Sequence, residues 1–313
     1  MSVISEAEFV DLYLGDGFAD AKGLPGNARR VEAPVEWQPA LERLRAQCEA
    51  KYVETKDPEF ALIEDGVILR VTRLLDLNSK PVFVLSKSSV QIRPLDMLGL
   101  PDYLQDELMR DTVRGLIFIC GEMGTGKTSS AASLAKARIE ARGGICVAVE
   151  DPPESYLNGR HGDGRCIQVP VSRRMGGYEE ALILALRTRA DLLFVGEVRD
   201  SATAAQVIQA SINGHLIICT GHAGSVTQGI ERISALAQPL LSNARELLSK
   251  GLVAVIHQAL STGSEGSRRL TLQSLLFTGA DSASIREKVH AGKITLLEQD
   301  IAYQSSRSLW NDQ

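Results

Sequence analysis

At 313 residues, with 44% apolar and 23% charged side chains, the chain has room for two domains of ordinary size. Its formal net charge of -5 argues against nucleic acid as the main partner, which favours a basic surface, while leaving local basic patches open. No run approaches the ~20 apolar residues that cross a bilayer, and the opening MSVISEAEFV carries acids where a signal peptide carries positive charge. The expectation is a cytoplasmic protein that meets a membrane only through partners.

Residues 1–105 read as a small α+β unit. Glu36–Tyr52 sets Trp37, Leu41 and Leu44 at helical spacing on a charged background. Phe60–Glu64 and Val67–Leu75 flank Asp65-Gly66, a tight-hairpin signal, and Pro81–Ser86 follows the polar turn Asp76–Lys80 as a third strand. Arg93–Pro101 punctuates the chain as a linker.

From 106 to 313, short apolar strands alternate with helices. Leu116–Cys120 precedes a helix over Thr128–Arg142, and Ile145–Val149 is a second strand. Tyr178, Ala181, Leu182, Ala185 and Leu186 share one helix face. Leu192–Val195 and Leu216–Cys219 bracket a helix over Ser201–Ile212, with Asp200 as its cap and Gly214 as its stop. The last third turns helical and closes with a hairpin, Gln258–Ser261 and Arg269–Phe277. This rhythm predicts an α/β fold with a mainly parallel sheet covered on both faces. Five cysteines lie far apart with no C-x-x-C pair, which disfavours a disulfide framework or a zinc site. Cys120, Cys146 and Cys219 fall in or beside apolar runs and read as small buried hydrophobes.

Gly121-Glu122-Met123-Gly124-Thr125-Gly126-Lys127-Thr128 satisfies G-x-x-x-x-G-K-[ST] between a predicted strand and helix. Gly121, Gly124 and Gly126 let the backbone curl around Thr125 so that successive N–H groups face phosphate oxygens. The helix opening at Thr128 and Ser129 adds its positive end. Lys127 reaches the β- and γ-phosphates, and the Thr128 hydroxyl ligates Mg2+. By average composition a chance match arises in roughly one chain in a hundred of this length, and the strand–loop–helix context lowers that further. ATP with Mg2+ is the expected ligand.

Hydrolysis also needs a carboxylate for Mg2+ and one that orients the attacking water. VAVEDPPE (Val147–Glu154) and LLFVGEVRD (Leu192–Asp200) each end an apolar strand in acids. Glu150 and Glu197 fall at carboxyl ends of strands, where open α/β sheets bind ligands. Asp151, Glu154 and Asp200 read equally as loop acids or helix caps. His215 and His222 sit at the two ends of Leu216–Cys219. A lone histidine is more often a core or surface residue, and no third ligand at suitable spacing supports a metal site. A γ-phosphate sensor fits their location better.

In this combination the chain resembles the motor ATPases of type IV pili and type II/IV secretion systems. That family carries four ordered signatures: Walker A, here Gly121–Thr128; an acidic box, similar to AVEDPPE (Ala148–Glu154); Walker B, similar to LLFVGEVRD; and a histidine box, similar to GHLIICTGHA (Gly214–Ala223). ALRTRAD (Ala185–Asp191) resembles its arginine-rich helix and LRVTRLLDL (Leu69–Leu77) its N-domain arginine strand, so the likeness runs from about residue 60 to 277. It implies a PAS-like N-terminal domain before a RecA-like domain, six copies in a ring, and nucleotide between the domains. It implies an inner-membrane platform or secretion-channel partner, and hence a peripheral place at the cytoplasmic membrane. Carried over by residue, one of Glu197 and Glu150 polarises the water and both manage Mg2+ with Thr128, and Arg70 clamps the phosphates. Arg187 is a second arginine for nucleotide or interface contact, and Lys87 or Arg93 stands in for further N-domain arginines. The absent cysteine cluster and N-terminal extension point to the compact retraction-motor or type IV secretion branch. Two other readings stand beside the motor: an assembly ring that binds ATP with little hydrolysis, and a nucleic-acid translocase, which the acidic balance weakens.

Overall fold

Two sheets organise the computed structural model, which describes residues 2–88, 92–171, 174, 176–262 and 268–311. The first lies in a unit formed by Met1–Gln91 with Glu150–Tyr156 and Pro170–Gly177. A short helix α1 (Val3–Glu6) leads into β1 (Asp11–Gly15), β2 (Phe18–Leu24) and β3 (Asn27–Glu32). Helix α2 (Gln38–Thr55) follows, then β4 (Glu59–Glu64), β5 (Val67–Leu75) and β6 (Pro81–Lys87). The strands pair antiparallel in the order β3-β2-β1-β6-β5-β4. Leu41, Leu44 and Cys48 of α2 share one core with Leu12, Leu69, Phe83 and Leu85 of the sheet. The expected hairpin turns at Asp65 and Gly66, whose φ of 49° and 82° match the paired left-handed residues that a two-residue turn of this hand requires.

The second unit comprises Ile92–Val149, Leu157–Val169 and Tyr178–Gln313. Its elements begin with α3 (Asp102–Leu108), β7 (Gly115–Gly121), α4 (Lys127–Arg142), β8 (Gly144–Glu150), β9 (Gly159–His161) and β10 (Gly164–Pro170). They continue with α5 (Gly177–Arg187), β11 (Leu192–Val195), α6 (Ser201–Ile212), β12 (Leu216–His222), α7 (Val226–Ala237) and α8 (Ala244–Gly251). The hairpin β13 (Leu252–Thr262) and β14 (Arg268–Leu276), then α9 (Ser282–His290) and α10 (Leu297–Asn311), close the chain. The sheet order is β14-β13-β7-β12-β11-β8-β10-β9, with β13, β7, β12, β11 and β8 running parallel. All of β7 and β11 is buried, which is why these strands read as unbroken apolar runs rather than alternating ones.

The stretch Arg93–Pro101 does not tether loosely. Leu98 and Leu100 enter the core of the second unit, which begins at Ile92, beside Leu104 and Leu108. Among the described residues no helix is long and apolar enough to cross a membrane.

All five cysteines are buried and none is joined in a disulfide. Burial pushes the Cys48 and Cys120 thiols up to about 12, and Cys219 upward as well. At pH 8 only about one in ten thousand molecules of a thiol with that pKa is the reactive thiolate. With all five side chains buried, Ellman's reagent at pH 8 should titrate no thiol in the native protein and five after unfolding. Stoichiometric reaction of the folded chain would contradict this packing.

Candidate functional site

Strand β7 delivers the chain to the glycine-rich loop, and α4 carries it away. Gly124 and Gly126 take φ of 76° and 84°, a left-handed conformation that a side chain resists, and Gly126 caps α4 from that conformation. The first helical bond, Ser130 N to Gly126 O at 3.0 Å, leaves the N–H groups before it to point out of the helix end. Thr128 and Ser129 are half-buried there. The loop is braced internally: Thr125 Oγ1 donates to Glu122 O at 2.9 Å, and Lys127 Nζ to the same oxygen at 2.6 Å. Lys127 is only 7% exposed, so its ammonium is held at the loop.

The register of β12 against β7 runs from Leu216↔Gly115 to His222↔Gly121, which sets His222 beside the loop's first glycine. Its Nδ1 lies 3.5 Å from Lys127 Nζ, and its Nε2 lies 2.9 Å from Glu197 Oε1. The Nε2–H tautomer fits both contacts, donating to the carboxylate and turning the Nδ1 lone pair to the ammonium. Glu197 follows β11 in an extended segment pinned on either side. Gly196 N donates to Val149 O at 2.8 Å and Val198 N to Thr220 O at 2.9 Å. Arg199 grips the second oxygen, with Nε at 2.7 Å and Nη2 at 2.6 Å from Glu197 Oε2. Both carboxylate oxygens are thus engaged, and the side chain is 14% exposed. The carboxylate is held to one orientation yet open enough to meet a water.

Glu150 ends β8 at 1% exposure, and its carbonyl accepts from Val171 N at 2.7 Å. The acidic segment after it belongs to the same unit as Arg70, whose Nη1 lies 3.8 Å from Glu154 Oε1. Both partners are well exposed, so this ion pair adds little stability. Asp200 resolves as a helix cap, accepting from Thr203 N at 2.8 Å.

Three of the expected residues lie apart from this chain's own phosphate loop or are engaged elsewhere. His215 precedes β12, so the strand's rise leaves it roughly 20 Å from the loop that His222 adjoins. Its carbonyl accepts from Gly115 N at the opposite end of the β7–β12 pairing from His222. Arg187 is exposed in the last turn of α5, four residues before Asp191, which bonds Ile145 N at the entry ends of β11 and β8. Neither residue is brought to this chain's own phosphate loop. Lys87 is already occupied as a brace, donating to the Ile4, Ser5 and Ala7 carbonyls at 3.3, 2.8 and 2.6 Å.

Two contributors carry little signal in the sequence. Arg199 stands within LLFVGEVRD with nothing in its spacing to mark it as the partner of Glu197. In the sequence Gln258 marks only the start of a strand, and it is the burial of its carboxamide that points to a built contact.

The profile of a family described as type II/IV secretion system protein matches residues 41–308. The type IV pilus retraction ATPase PilT of Pseudomonas aeruginosa is 26% identical over 285 residues, covering 88% of this chain and 81% of that one. The type IV pilus ATPase PilU of the same organism is 31% identical over 245 residues, covering 76% and 62%. Among solved structures, the pilus retraction motor PilT with bound ADP superposes with a TM-score of 0.76 at 23% identity, over 95% of this chain and 88% of that one. The Legionella pneumophila ATPase DotB gives 0.72 at 19%, over 93% and 84%. At these identities the structures speak for the fold alone: an N-terminal domain followed by a RecA-like ATPase domain.

Proposed function

Because the chain belongs to the type II/IV secretion system protein family, and is an ATPase, we propose that it works as a ring of six copies that drives pilus dynamics or secretion. Its work is delivered to a membrane-embedded platform or secretion channel at the cytoplasmic face. The observation that supports this reading best is the contact series Lys127, His222, Glu197, Arg199 across the ends of β7, β12 and β11. It joins a phosphate-binding cation to an oriented carboxylate through one imidazole, so phosphate and water would be handled by a single connected group.

The donor set suits Mg2+. Thr128, Glu150 and Glu197 offer hard oxygens, and among the described residues no cluster of three metal-ligating side chains holds a cation alone. Mg2+ takes one or two protein oxygens together with substrate phosphates. When bound, it neutralises phosphate charge. The chain's own groups supply the remainder. The loop N–H groups and Lys127 orient the phosphates, and Glu197 accepts hydrogen from the attacking water. His222 ties that carboxylate to Lys127, so a shift at the phosphate end is felt at the acid. Arg70, on β5 of the first unit, is the arginine we assign to the phosphates, where its positive charge would offset theirs.

Steady-state ATPase activity across a protein concentration series, with mass measured in parallel, tests the ring. Activity per protomer should rise as a species of six-chain mass forms. Constant activity per protomer from a monomer would sink the shared-site motor.

A further inference from the structure

Gln258 sits on β13 opposite Gly121 of β7 and is 2% exposed. Its Nε2 donates to Thr125 O at 2.8 Å, reaching across 133 residues of sequence to the middle of the phosphate loop. The fit around it is close. A Cβ on Gly121 would lie 2.2 Å from the Gln258 carbonyl oxygen, and one on Gly126 would lie 3.3 Å from Nε2. The other end of the carboxamide, Oε1, is buried with no hydrogen-bond partner among the described residues. A side chain retained only to fill this space would be better served by methionine, of similar length and with no acceptor to leave unsatisfied.

The donor end gives the carboxamide its use. In a trans peptide the C=O and the following N–H point in opposite directions. Holding the Thr125 carbonyl on Gln258 therefore turns the Gly126 N–H away from β13, free for a phosphate oxygen. The Glu122 carbonyl is held in the same way by Thr125 Oγ1 and Lys127 Nζ, so two carbonyls that would repel phosphate are turned onto protein donors.

We propose that Gln258 is a positioning residue for the nucleotide phosphates, fixing the Thr125–Gly126 peptide from the neighbouring strand. This rests on reading Gly121–Thr128 as the phosphate loop. Contacts of this kind act on bound ground state and transition state alike, so their loss raises KM and leaves kcat.

The test compares the full chain with Gln258→Met, Gln258→Glu and Lys127→Ala, using ADP with Mg2+ in calorimetry, steady-state ATP kinetics and thermal melting. In Gln258→Met the ADP Kd and the ATP KM should rise together by about tenfold, with kcat within about threefold and Tm unchanged or higher. A Kd and KM within twofold of wild type would overturn the proposal, as would a fall in kcat at constant KM. Should Gln258→Met melt early, Gln258→Glu decides. It keeps the shape but faces a carbonyl with a carboxylate, so its KM should rise at least as much, and an unchanged KM overturns the proposal. Wild-type protein that binds no ADP would overturn the phosphate-loop reading itself, a result separate from failure at Gln258.

Discussion

Lys127→Ala leaves a folded chain with no measurable ATP turnover and an ATP affinity lowered by about two orders of magnitude or more. Each charge-assisted hydrogen bond to a phosphate oxygen contributes about 1.5–3 kcal/mol, and a lysine spanning two phosphates makes at least two. Their sum, about 3–6 kcal/mol, corresponds to roughly 10²–10⁴ in affinity. The fold should tolerate the change because Lys127 opens α4 and alanine is the best helix former. Its ammonium bonds a carbonyl that Thr125 Oγ1 also serves, so that carbonyl is not left without a donor. Calorimetry with ATP and phosphate-release kinetics would check this, with melting as the control. ATP binding within threefold of wild type would remove Lys127 from the site.

Glu197→Gln separates binding from chemistry. The amide keeps the size of the side chain, and its oxygen can still accept from His222 Nε2, but it has no basic oxygen for a water proton. Its NH2 would then face the Arg199 guanidinium, donor against donor, where the carboxylate accepts at 2.6 and 2.7 Å. One of the two anchors is lost along with the base. General-base catalysis is worth about 10²–10⁴ in rate, and turnover should fall within that range while ATP affinity stays within about threefold. Near-normal hydrolysis would show that another group orients the water. An affinity loss as large as the rate loss would show that Glu197 acts in binding.

The sequence exposes those parts of the molecule whose chemistry is local. The phosphate loop is eight consecutive residues, and the strands behind it are buried on both faces, so β11 is read to the residue and β7 to within one at each end. His222 shows the limit of local reading. Thr220-Gly221-His222 looks like a loop, yet β12 continues through it because each residue pairs with β7, and that pairing brings the imidazole to Lys127. The same strand carries His215 away from the site, a consequence of strand length rather than of residue type. β13 was placed six residues late, since α8 ends at Gly251 and the strand starts at Leu252 with no turn between them. Strands β1–β3 left no clear signal. They are short, broken by glycines and carry Asp20, Lys22, Arg29 and Arg30, so little apolar alternation survives. Gln258 and Arg199 act through geometry that no spacing rule encodes, one across 133 residues and the other by folding back two residues onto Glu197.

Phosphate release by the purified full chain at saturating ATP, with and without Mg2+, tests the central claim most directly when ATP occupancy is measured on the same sample. Hydrolysis by the Lys127–His222–Glu197 site predicts continuous turnover that needs Mg2+ and strengthens as the chain assembles. Full ATP occupancy without phosphate release, at concentrations where the assembled species dominates, would contradict it and make the protein a nucleotide-set assembly ring rather than a motor.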